Sequence, residues 1–116
     1  MTGDNMPKHE FGIMQKYPTD KDRFDTYEPQ KYNCIVVDDD LIEPILTDLA
    51  GVDCYWHTLQ RPEKGLAYCG ITLIPPKSMD AFTKVLYSQS KEEYISLISL
   101  ANQAKEYSRY IIHFGI

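Results

Sequence analysis

His57 and His113 are the residues of this chain best suited to moving a proton, because imidazole titrates near neutral pH. They are the candidate general acid and base, and also candidate metal ligands. A metal ion usually takes three or four protein ligands, and an isolated histidine is more often a hydrogen-bonded structural residue. Asp38-Asp39-Asp40 is the second cluster. Three carboxylates at the end of a strand suit Mg²⁺ or Ca²⁺, which prefer oxygen. Aspartate is also the ordinary residue of turns and helix starts, where its charge meets the positive end of the helix dipole. The cysteines, Cys34, Cys54 and Cys69, are odd in number and lack C-x-x-C spacing, so they form no disulfide framework. Cys69 has no positive group or helix start nearby to lower its pKa and reads as inert. The chain contains no phosphate loop and no nucleophile elbow. No cofactor is expected.

These side chains need elements to position them. Residues 54–59 and 66–74 are rich in aromatic, β-branched and apolar types, which suit strands. Pro62 and Gly65 punctuate the polar loop between them, so the stretch reads as a hairpin. If Leu59 lies opposite Leu66, then His57 faces Tyr68 and Cys54 faces Ile71. Alternation then puts Cys54, Trp56, Cys69, Ile71 and Leu73 on the core face, and Tyr55, His57, Tyr68 and Thr72 on the other. A slip by one residue would exchange every assignment.

Residues 31–38 form a near-continuous β-branched run, expected of a central strand. Leu41, Ile42, Ile45, Leu46 and Leu49 then recur at helical spacing, with Pro44 placing the start at 41–43. Asp40 with Glu43 resembles a capping box, as does Ser90 with Glu93, and Ser78 can cap the helix carrying Met79, Phe82, Val85 and Leu86. A further helix carries Tyr94, Leu97, Ile98 and Ala101. Residues 110–116 read as a last strand, with Ile112, Phe114 and Ile116 on one side and His113 on the other.

Residues 1–30 differ, with three prolines, many charges and no sustained period. About the first eight are expected to be loose. The rest should lie as an extended arm on the folded body, anchored by Phe11, Tyr17, Phe24 and Tyr27. The expected organisation is therefore an arm over 1–30 and one α+β domain over 31–116. The domain has an antiparallel sheet with helices on one face, in the βαββα(α)β ferredoxin-like order. That order puts the last strand beside the first, with His57 and His113 on opposite edges.

The face away from the helices then collects Tyr55, His57, Tyr68 and His113, with Arg61 on the nearby loop tip. An aromatic patch of this kind marks packing, association or a ligand groove. The length of 116 residues suits one domain, and 43% hydrophobic with 25% charged residues is ordinary for a folded protein. A net charge of −5 disfavours nucleic acid and anionic membranes and permits a basic protein partner. With no signal peptide and no apolar run long enough to span a bilayer, the expected location is the cytoplasm. The expected function is a non-enzymatic protein–protein interaction module, immunity- or antitoxin-like or self-associating as a homodimer. The alternative is a small-molecule-binding protein or small enzyme using Tyr55, His57, Tyr68 and His113.

Overall fold

The sequence KHEFGI alternates. His9, Phe11 and Ile13 fall on one side, and Lys8, Glu10 and Gly12 on the other. In the computed structural model, which describes residues 7–116, this stretch is strand β1 (Lys8–Ile13). It is followed by β2 (Ile35–Asp38), β3 (Asp53–Trp56), β4 (Pro62–Lys64), β5 (Ile71–Ile74) and β6 (Ile111–Phe114). The six strands make one antiparallel sheet in the order β2-β1-β6-β5-β3-β4. The class is α+β, as expected, but this is not the ferredoxin-like strand order. Within the span read as an arm, residues 8–13 are inserted between β2 and β6, so the last strand does not lie beside the 35–38 strand. The expectation of loose first residues lies outside the described residues for 1–6, while Lys8 is already in β1.

The helical segments are α1 (Asp39–Ile42), a 3-10 turn (Glu43–Ile45), α2 (Leu46–Leu49), α3 (Met79–Ser88) and α4 (Ile95–Glu106). Pro44 has no N–H to offer the Asp40 carbonyl, so the helix tightens there instead of starting there. The expected caps are not formed. α1 has no side-chain cap bond, the Ser78 hydroxyl donates to the Asp53 carbonyl (2.6 Å), and Ser90 sits at φ 55° between α3 and α4.

One sheet face presents Phe11, Val37, Cys54, Ile74 and Ile111 to the helices, which bury Ile42, Leu49, Phe82, Leu86 and Leu97 against it. Each fully buried side chain of this size contributes roughly 1.5–3 kcal/mol. The opposite face presents Ile71, Leu73, Ile112 and Phe114. It is covered in part by residues 14–34, from which Met14, Phe24 and Tyr32 pack on it. Tyr27 stands edge-on to Phe114 at 5.6 Å. The backbone comes close here: a Cβ on Gly12 would lie 2.7 Å from Tyr32 Cβ.

The pairing between β3 and β5 differs from the expected hairpin. Tyr55 lies opposite Leu73 and Trp56 opposite Thr72, three positions from the register read in the sequence. An odd slip reverses the faces of one strand. Cys54 and Tyr55 keep their expected sides, while Ile71 and Leu73 move to the face away from the helices and Thr72 turns toward them. The cause is local. His57 takes φ 66° and ends β3, and β4 then pairs beside it, with Cys54 opposite Glu63. Residues 66–70 become a turn, not a strand. No described helix is long and apolar enough to cross a membrane.

Candidate functional site

Beneath the helices the sheet carries a chain of polar groups. The side chains of His9, Thr72 and His113 are on the helix-covered face, and all three residues are 0% exposed. Their placement follows from register: Phe11 lies opposite His113 across β1–β6, and His113 opposite Thr72 across β5–β6. His9 is two residues from Phe11 on the same face. At the rim, Asp39 opens α1 directly after β2, so its carboxylate reaches the top of the chain.

The donors and acceptors form one ordered series. The Ala67 N–H donates to Thr72 Oγ1 (2.8 Å), and the Thr72 hydroxyl donates to His113 Nδ1 (3.1 Å). His113 Nε2–H then donates to His9 Nδ1 (2.9 Å), and His9 Nε2–H to Asp39 Oδ1 (2.9 Å). The Tyr68 hydroxyl donates to the other carboxylate oxygen, Asp39 Oδ2 (2.7 Å). This assignment uses both nitrogens of each ring and keeps the fully buried His113 neutral. The two imidazoles stack at 5.1 Å and 15°, and Phe11 packs on His113 at 4.8 Å. Among the described residues no buried side-chain nitrogen or oxygen lacks a partner.

The electrostatics agree with that arrangement. Burial, and then the neighbouring His9, hold His113 well below its ordinary pKa of 6.5. Burial works against the Asp39 charge, but the Tyr68 hydroxyl and the His9 ring outweigh it and lower that pKa. The same bond to Asp39, helped by burial, pushes the Tyr68 hydroxyl up to about 12. Such a chain can pass a proton along its length. Its inner end, Thr72, has no exposure to a reactant, so its evident role is to tie β1, β5, β6 and α1 together.

His57 lies apart from this chain. Its carbonyl leaves the sheet ladder to accept the Phe24 N–H (2.8 Å), and its Nδ1–H donates back to the Phe24 carbonyl (3.0 Å). Nδ1 is also 3.0 Å from Asp25 Oδ1. Its Nε2 accepts the Ile71 N–H (3.4 Å), replacing the ladder acceptor that the turn removed. A Cβ at residue 70 would sit 2.8 Å from that nitrogen, which explains the glycine there. His57 is therefore a latch fastening residues 24–25 to the sheet.

The remaining candidates do not converge. Tyr55 faces away from the helices and Tyr68 is at the rim beside Asp39, so the expected aromatic face of Tyr55, His57, Tyr68 and His113 is not assembled. Arg61 stacks over the Trp56 ring at 5.4 Å and lies 3.2 Å from Glu63. Asp38 and Asp40 are exposed. Among the described residues no three His, Cys, Asp or Glu side chains are grouped to hold a metal. His9 Nδ1 and His113 Nε2, at 2.9 Å, are also closer than the roughly 3.3 Å between two nitrogens on one tetrahedral zinc. Burial pushes the Cys34 thiol up to about 11 and the Cys54 thiol up to about 12, while Cys69 is exposed.

A cleft of about 650 Å³ crosses the face away from the helices, lined by Glu10, Asp25, Tyr27, His57, Cys69 and Phe114 among others. Sequence reasoning missed His9 entirely. The signal was the alternation of His9, Phe11 and Ile13 against Lys8 and Glu10. A scan against protein-family models and searches of curated proteins and solved structures found nothing that matches this chain.

Proposed function

We propose that this protein acts by binding another protein, not by catalysing a reaction. The observation that carries the reading is the use of its histidines. The chain has three, and each spends both ring nitrogens inside the fold. A general base needs a free nitrogen within reach of a substrate proton. Two of the three cysteines hold their thiols protonated at neutral pH, which suits packing and not attack. The acidic balance of −5 favours a basic partner, and an immunity- or antitoxin-like masking role is the concrete version.

The test is native mass spectrometry of the tagged chain purified from the cells that make it. A second polypeptide in fixed stoichiometry, or a homodimer, is the expected result. A chain carrying only a small-molecule increment would overturn the reading. That outcome would favour the alternative, a small-molecule-binding protein, for which the cleft beside His57 and Cys69 has a suitable volume.

A further inference from the structure

The sheet has two edges, and only one of them is blunted. At the β4 edge, the Trp56 N–H bonds the Arg61 carbonyl (3.0 Å) and the Gly65 N–H bonds the Val52 carbonyl (2.8 Å). These bonds turn the backbone of residues 61, 63 and 65 toward β3. Pro62 and Lys64 therefore hold the outward positions. Proline has no N–H to offer and lysine resists a dry contact, so this edge is protected against pairing.

Among the described residues neither outward position of the β2 edge, Val36 or Asp38, is a proline or a lysine. The Asp39 N–H bonds the Pro7 carbonyl (3.1 Å), and Val37 lies opposite His9. In an antiparallel ladder this commits the backbone of Ile35, Val37 and Asp39 to β1. The N–H and C=O groups of Val36 and the N–H of Asp38 point out of the sheet, while the Asp38 carbonyl, at the N-cap of α1, takes the first bond of that helix. Among the described residues no hydrogen bond reaches the two Val36 groups or the Asp38 N–H. Val36 is 54% exposed and Asp38 is exposed as well.

We propose that β2 accepts an extended basic segment of another protein as a seventh strand. The proposal rests on the association reading and names its surface. Charge selects the partner. Asp38, Asp40 and Glu43 are exposed around this edge, and Glu10 lies on the neighbouring strand directly opposite Val36. The opposing charges are Lys8, across from Asp38, and Lys31, which Glu28 holds at 3.0 Å. The local balance is acidic, so a second copy of this chain would meet like charge at the same edge. Alternation adds a pattern: a basic side chain beside Asp38 and, two residues along, an apolar one beside Val36, where the cleft ends.

The experiment uses the full chain and a capped peptide of about eight residues alternating lysine and valine. Two control peptides accompany it, one with N-methylated alternate amides and one with glutamate in place of lysine. The readout is the NMR shift and exchange protection of the Val36 and Asp38 amides. The lysine peptide should protect both. N-methylation should abolish binding, and glutamate should weaken it about tenfold or more. Val36→Pro removes an outward N–H, leaves the β1 ladder intact and should cost about tenfold in affinity. Equal binding of the N-methylated peptide would overturn the proposal without reliance on any variant. The purification from source cells, repeated with Val36→Pro, separates the two ideas. A partner kept by the variant overturns the edge and spares the association reading, whereas no partner with either chain overturns both. A homodimer that Val36→Pro dissociates would make the occupant a second copy and overturn the basic-segment assignment.

Discussion

Replacing His113 with phenylalanine keeps a ring between His9 and Phe11 but removes both of its nitrogens. Two groups then lose their partners: the Thr72 hydroxyl proton and the His9 Nδ1 lone pair, both on residues with no exposure. A buried polar group left unsatisfied costs roughly 1–3 kcal/mol, so with two such groups the variant should lose about 2–6 kcal/mol at pH 7. With a denaturant slope of about 1.5 kcal/mol per molar, the urea midpoint should fall by about 1.3–4 M. The pH dependence supplies a second, independent sign. His113 stays neutral in the folded protein, whereas its ordinary pKa in the unfolded chain is 6.5. As pH falls below that value the unfolded state takes up a proton that the folded state refuses. This group's contribution to stability therefore falls as pH drops, by at most about 2 kcal/mol between roughly pH 7.5 and pH 5. Lowered carboxylates such as Asp39 act in the same direction only below the ordinary aspartate range, near 3.8. Urea titrations of the wild type and His113→Phe at both pH values would check this. A variant as stable as the parent, or one that keeps the same loss between pH 7.5 and 5, would refute the reasoning.

Three further outcomes are expected. His57→Ala removes the latch on residues 24–25 and should cost about 1–3 kcal/mol, with faster amide exchange at Phe24 and Ile71 than at Ile112; uniform exchange across all three would argue against a local latch. Gly12→Ala would place a methyl 2.7 Å from Tyr32 Cβ and 2.8 Å from Cys34 Sγ, so thermal unfolding should show a loss of about 1–3 kcal/mol. With an aromatic disulfide reagent, Cys69 should react in the native protein, while Cys54 should react only on unfolding; mass mapping of the labelled sites decides it.

The helices and the α+β class were legible because Met79, Phe82 and Leu86, and Leu97, Ile98 and Ala101, repeat at a spacing that tertiary contacts did not override. Strand β1 was not, because its charges and Gly12 match the proline-rich segment around it, and only six positions of alternation stand against that background. The missing strand propagated into the site. His113 looked like a surface residue because an unpartnered imidazole is costly to bury, and the partner that makes burial tolerable is His9, on the strand that was missed. The β3–β5 register failed for a separate reason. The proline and glycine of residues 60–65 suggested one hairpin loop, yet the chain turns at His57 through a backbone angle that no sequence pattern announces in a histidine.

The placement of β1 beside β6 bears on how the protein folds. The seam joins Glu10 to Phe114 and divides the sheet into a β2-β1 pair and a β6-β5-β3-β4 group, each of which needs the other's apolar edge. Closing the loop that separates β1 from β6 in the chain costs entropy that grows only as the logarithm of its length, but that cost comes before any contact across the seam can repay it. The rate-limiting encounter should therefore be the meeting of these two parts. His9 and His113, 104 residues apart, are polar groups that find their partners only when the seam has formed in register.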